Sequence, residues 1–161
     1  MIVISDTSPI NYLVLIDEIE LLPKLFGTII IPQAVLSELQ RAETPNQVKM
    51  WLATNPAWLE LRNVSVIDST IALGAGECEA ISLAKEINAD LVLIDDKKAR
   101  QAAIERNLTV AGTLNILELA SVKNLIELSE VFDKLQQTNF RVSQALLDEV
   151  LQREIQRKSA T

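Results

Sequence analysis

The stretch Leu91-Val92-Leu93-Ile94-Asp95-Asp96-Lys97-Lys98-Ala99-Arg100 decides the fold. A short, branched apolar run stops at two acids and passes directly into a basic segment that reads as a helix to about Arg106. A buried strand that feeds a helix belongs to a parallel sheet covered by helices. The start of the chain repeats the pattern, because Ile2-Val3-Ile4 stops at Ser5-Asp6 and Thr7-Ser8-Pro9 follows with cap-forming residues and an early proline. Two strand ends therefore carry an acid, Asp6 and Asp95.

The segments between and beyond them continue the alternation. Thr28-Ile29-Ile30-Ile31 reads as a strand, and Pro32 opens a helix that turns Val35, Leu36 and Leu39 inward and Ser37, Glu38 and Gln40 to other faces. A helical stretch over 46–54 leads to a weaker strand, Trp58-Leu59-Glu60-Leu61, and both tryptophans read as packing groups. Gly74-Ala75-Gly76 precedes the helix Glu77-Cys78-Glu79-Ala80-Ile81-Ser82-Leu83-Ala84. Leu108-Thr109-Val110 is a last short strand, Gly112-Thr113 begins further helices, and 143–157 is a C-terminal helix. The expectation is a three-layer α/β/α fold with a central, mostly parallel sheet of about five strands, forming one domain over 1–161.

Composition removes several classes of function. The chain has 161 residues and no histidine, so schemes built on a histidine acid–base pair are excluded. Cys78 stands alone, which rules out an intrachain disulfide and suits a reducing cytoplasm. No basic leader with a long apolar core follows Met1, and no apolar run reaches membrane-span length, so a cytoplasmic protein without a membrane partner is expected. A net charge of −7 opposes a broad nucleic-acid surface. Local cations remain: Lys97, Lys98 and Arg100 follow the strand-end acids, and Lys49, Arg106 and Arg141 lie elsewhere.

Six acids carry the chemistry: Asp6, Glu38, Glu77, Glu79, Asp95 and Asp96. A parallel sheet brings its strand ends to one edge, and the ligand crevice of such folds lies outside that edge. Carboxylates gathered there repel one another unless protons or divalent cations compensate them, and hard oxygen donors suit Mg²⁺ or Mn²⁺. Each acid alone has a plainer explanation, since acids at helix N-termini oppose the helix dipole. Glu77 and Glu79 are two apart and diverge by about 200° on a regular helix, so both face one point only if the helix begins between them. Glu79 runs straight into the helix, whereas Glu77 follows Gly76 and can reach from a loop. Asp95 sits nearer its strand end than Asp96, which suits a helix cap or an outer-sphere partner.

In this order the chain resembles a PIN domain, the α/β fold of many metal-dependent ribonucleases, including toxins of toxin–antitoxin pairs. The resemblance is carried by Ile4-Ser5-Asp6-Thr7-Ser8, by Val35-Leu36-Ser37-Glu38-Leu39, by Glu79-Ala80-Ile81-Ser82-Leu83-Ala84 and by Leu91-Val92-Leu93-Ile94-Asp95. It implies that Asp6, Glu38, Glu79 and Asp95 share one or two Mg²⁺ or Mn²⁺ ions, with Glu77 and Asp96 as alternates and Ser8 supporting the first acid. The third acid is Glu where many active relatives carry Asp. The implied activity is hydrolysis of single-stranded RNA by an activated water, with Lys97 or Arg100 on the phosphate. A toxin role implies an antitoxin partner and self-pairing into a homodimer. The rival expectations are a regulatory nucleic-acid- or protein-binding module without hydrolysis and, more weakly, a receiver-like phosphoryl-transfer domain. Gly74-Ala75-Gly76 lacks the context of a dinucleotide site.

Overall fold

The structure is a computed structural model and describes residues 1–160. Its elements run β1 (Val3–Ser5), α1 (Thr7–Leu15), α2 (Leu21–Phe26), β2 (Ile29–Ile31), α3 (Gln33–Leu39), α4 (Asn46–Leu52) and β3 (Leu59–Leu61). They continue with α5 (Ala75–Glu86), β4 (Leu91–Leu93), α6 (Lys97–Glu105), β5 (Val110–Ala111), α7 (Thr113–Val122), α8 (Leu128–Gln136) and α9 (Gln144–Ser159). The five strands form one all-parallel sheet in the order β3-β2-β1-β4-β5.

Alternation along the strands assigns the layers. Val3, Ile29, Ile31 and Leu93 face a core completed by α1, α2, α3, α4, α7, α8 and α9. Their neighbours Ile4, Ile30, Val92 and Ile94 face the opposite side, where Ala80, Ile81, Leu83 and Ala84 of α5 and Ala99 and Ala103 of α6 cover them. Successive strand side chains point to opposite faces, so runs of three branched residues bury both sides of the sheet. The small residues of α5 and α6 let these helices lie close on the strands.

Two expectations about boundaries change. The last strand lies at Val110–Ala111 rather than 108–110, because Asn107 turns the chain at φ 62° and the Leu108 N–H is taken by the Ala103 carbonyl at the end of α6. Gly76 lies inside α5 and is buried, so Glu77 belongs to the first helical turn and not to a loop. Trp51 and Trp58 pack on each other with ring centres 5.8 Å apart, in the packing role expected of them.

Strand order fixes where a site can form. From β1 the chain proceeds outward to β2 and β3, then returns to the other side of β1 for β4 and β5. The reversal falls between β1 and β4, whose register pairs Ser5 with Leu93. Asp6 and Asp95 follow these two strands, at the crevice expected of a doubly wound sheet.

Candidate acidic site at the sheet edge

Asp6 holds the N-cap position of α1, but its carboxylate makes no capping hydrogen bond. Its N–H donates to the Leu93 carbonyl at 2.9 Å, tying the turn to β4. The side chain is 5% exposed. Burial pushes its pKa up to about 7; the charges of Glu77, Glu38 and Asp95 push the same way, against a partial offset from the Thr7 N–H. A buried acid surrounded by acids, with no ion-pair partner among the described residues, is poised to bind positive charge; Arg41, which lines the same cavity, approaches Glu38 instead, at 3.9 Å.

Glu38 comes from the far end of α3. Thr7 donates its hydroxyl to Glu38 Oε2, and the carboxylate lies so close to Gly76 that a Cβ there would stand 2.1 Å from the same oxygen. Glycine at 76 therefore creates the space that Glu38 occupies. Glu77 enters beside it from the first turn of α5, and its pKa is raised by burial and by the charges of Asp96 and Glu38. Asp6, Thr7, Ser8, Glu38 and Glu77 line one cavity of about 350 Å³.

Asp95 borders this cavity from the next strand. Ser8 donates to Asp95 Oδ2 at 2.7 Å, the Thr113 hydroxyl to the same oxygen at 2.8 Å, and the Thr113 N–H to Oδ1 at 2.6 Å. Ser8 thus supports the acid of β4 and not, as expected, that of β1; its place in the first turn of α1 aims it across the strand gap. Gly112 makes the same kind of room as Gly76, since a Cβ would lie 2.5 Å from Arg100 Nη1 and 2.9 Å from Asp95 Oδ1.

The two remaining acids are occupied at helix ends. Asp96 caps α6 by accepting from the Ala99 N–H at 3.0 Å. Glu79 Oε1 accepts from the Ala34 N–H at 3.0 Å, in the first turn of α3. The resemblance favours Glu79, and the two residues lie differently: α5 includes both, Glu77 lines the cavity with Glu38 and Asp6, and Glu79 reaches α3. Among the described residues, no three acids come together closely enough to enclose an ion in this conformation.

The cations divide similarly. Lys97 and Arg100 line a larger cleft, about 560 Å³, that begins at Asp95. Lys98 is exposed on the outer face of α6. Lys49 is bonded to the Ala42 carbonyl and Arg106 to Asp68, so neither serves the acidic edge. Sequence reasoning passed over Thr7, Thr113 and the space-making roles of Gly76 and Gly112. The adjacent hydroxyls of Thr7-Ser8 and the pair Gly112-Thr113 were the available signals, but only the fold shows which acid each one serves.

Comparison with known proteins now adds the family. A family model described as DUF3368, PIN domain, matches residues 2–156, so the chain belongs to the PIN-domain family. Its structure is similar to that of a PilT N-terminus domain protein from the archaeon Sulfolobus solfataricus P2, at 20% identity and a TM-score of 0.56, over 73% of this chain and 91% of that one. It is also similar to a chain of VapBC2 from Rickettsia felis bound to a DNA fragment from its promoter, at 20% identity and a TM-score of 0.50, over 70% and 98%. At these identities the two structures establish the fold. No curated protein matches the chain. PIN domains are typically nucleases and generally bind divalent metals. Among the described residues, no helix is long and apolar enough to cross a membrane.

Proposed function

We propose that this PIN-domain chain is a Mg²⁺- or Mn²⁺-dependent endoribonuclease that hydrolyses single-stranded RNA. The observation that carries the reading is the meeting of Asp6, Glu38 and Glu77 around one cavity, with Asp95 beside it, at the strand reversal of the sheet.

The donor set fits a hard divalent cation, because every candidate ligand is a carboxylate oxygen and Asp6 is buried among like charges. Mg²⁺ commonly takes one or two protein carboxylates and keeps several waters, which suits acids spaced too widely to enclose it directly. Asp6, Asp95, Glu38 and Glu77 are the residues that would hold the ion. Bound there, a divalent cation supplies positive charge for the phosphate and lowers the pKa of an attacking water. Ser8 and Thr113 fix Asp95, Thr7 fixes Glu38, and Lys97 and Arg100 orient the phosphate through charge-assisted hydrogen bonds. Glu79 and Asp96 act through the helix ends they cap.

The net charge of −7 favours a second reading, a PIN-like binding module without hydrolysis. Cleavage of mixed single-stranded RNA with Mn²⁺, compared between the wild type and Asp6→Asn and Asp95→Asn, separates the two. Loss of cleavage in both variants supports the nuclease. Equal cleavage by all three removes the site, and absence of both cleavage and calorimetric Mn²⁺ binding in the wild type establishes the module. The toxin role, with an antitoxin partner and a homodimer, is the finer part of the proposal. It expects growth arrest on expression, relieved by Asp6→Asn, and a dimer mass in solution.

A further inference from the structure

The cleft beside the acidic cavity has a composition that the hydrolytic machinery does not explain. It runs from Asp95 past the start of α7 to the segment preceding α9, with Leu114, Phe140, Val142, Leu146 and Val150 as its apolar lining. Lys97, Arg100 and Arg141 stand around it, and none of the three forms an ion pair within 4 Å among the described residues. The other cation, Arg153, is bound to Glu118 at 2.8 Å and 3.0 Å. In a chain of net charge −7, three unpaired cations around one cleft are a local reversal of sign.

The cleft joins the acidic cavity through a ridge. Tyr12, which lines the acidic cavity, meets Phe140 edge-on with ring centres 4.9 Å apart, and its hydroxyl donates to Asn139 Oδ1 at 2.8 Å. A bound chain can therefore pass from one cavity to the other.

We propose that this cleft is a nucleotide subsite: it takes the unpaired base of the residue next to the scissile phosphate, while Arg141, Arg100 and Lys97 hold the adjoining backbone. The inference rests on the nucleic-acid reading above and adds the occupant of a neighbouring surface. A volume of about 560 Å³ lies within the range of small-ligand pockets. An apolar wall with an aromatic ring beside a cationic track is the composition that holds single strands, because every base has a π face and every linkage a charge. A duplex keeps its bases stacked inside and offers none to the wall, so the cleft selects single-stranded substrate. Backbone cations alone would need no apolar wall, and Leu146, 40% exposed, gains cover only when something apolar lies on it.

The test is binding of a labelled single-stranded RNA oligonucleotide, read by anisotropy in EDTA so that the result is independent of hydrolysis. Wild type is compared with Arg141→Ala, Leu146→Ser and, as a remote exposed control, Arg62→Ala. Arg141→Ala and Leu146→Ser each weaken binding about tenfold, and Arg62→Ala leaves it unchanged. Arg141→Ala also flattens the dependence of log K on log salt by about 0.7, the loss of one phosphate contact on a single strand. A strand of the same length with abasic sugars throughout binds the wild type more weakly and no longer distinguishes Leu146→Ser from it. Equal affinity for the RNA and the abasic strand overturns the subsite, as does unchanged binding by both cleft variants. Displacement by polyglutamate as effective as by unlabelled RNA identifies an acidic-peptide groove and also overturns it. If Asp6→Asn abolishes cleavage while both cleft variants bind normally, the subsite falls and the nuclease stands. If the cleft variants weaken binding and the wild type never cleaves, the nuclease falls and the subsite stands.

Discussion

Asp6 and Asp68 are both acids in polar surroundings, yet their environments are opposite. Asp68 receives Lys85 at 2.7 Å, Arg106 at 3.0 Å and the Thr70 N–H at 2.9 Å, and these donors hold its carboxyl well below the usual range. It pins the connection after β3 to α5 and to the end of α6. Asp6 has acids for neighbours and a pKa pushed up to about 7. Asp68 is satisfied within the chain; at the acidic cavity Arg41 approaches Glu38 Oε1 at 3.9 Å, but among the described residues no cation pairs with Asp6, whose carboxylate is left for positive charge from outside. That difference separates a structural network from a binding site better than a count of acids does.

Asp6→Asn tests this comparison most severely. Cleavage should fall at least about a hundredfold, several kcal/mol of charge stabilisation being lost with the ion. The same variant should melt higher than the wild type in EDTA. The folded pKa of Asp6 lies above its value of 3.8 in an unperturbed state, so folding disfavours its ionised form. The penalty is absent below about pH 4, grows toward pH 7 and is constant above, reaching at most about 4 kcal/mol at 1.36 kcal/mol per unit. Melting curves at pH 4 and pH 8 should therefore converge at the lower pH and separate at the higher one. A variant that melts lower at pH 8 would break the comparison.

Gly76→Ala should follow in size. The added methyl collides with the Glu38 carboxylate, the far end of a flexible side chain, which must leave the Thr7 hydroxyl, and cleavage should drop about tenfold or more while stability changes by no more than about 1 kcal/mol, the lost contact being offset by alanine's helix propensity. Wild-type cleavage by this variant would remove Glu38 from the site. Asp68→Asn should do the reverse of Asp6→Asn, lowering the melting temperature at pH 7 and leaving cleavage unchanged. Because the folded pKa of Asp68 is depressed, its contribution is present above about pH 4 and is lost as pH falls further, so the deficit should vanish in acid. Glu79→Gln is the mildest change, since an amide oxygen can still accept from the Ala34 N–H. Its stability should stay within about 0.5 kcal/mol of wild type and its cleavage unaltered, whereas Glu77→Gln should reduce cleavage.

The parts of the site legible in the sequence are those attached to strand ends. Ile4-Ser5-Asp6 and Leu93-Ile94-Asp95 place their acids by local pattern alone, because a strand that stops at an acid leaves it at the sheet edge whatever surrounds it. Asp96 as a helix cap was equally readable, for capping is a contact between near neighbours in sequence. The choice between Glu77 and Glu79 was not. The N-cap at Gly74 and the burial of Gly76 set the rotation of α5, and both depend on α3 packing against it. The resemblance pairs Ser8 with Asp6, two residues before it, yet its hydroxyl crosses to the acid after the neighbouring strand.

By itself the sequence determined the alternation of strands and helices, the two strand-end acids, the exclusion of histidine chemistry and the resemblance to the PIN domain, since each follows from local order and composition. The tertiary structure decided which acids meet, which cations are spent on Asp68 and Glu118, and that residues 139–146 border the same edge as Asp6 and Tyr12. Those contacts join segments far apart in the chain, and the direction of a side chain across such a gap is set by helix rotation and packing, to which local pattern is blind.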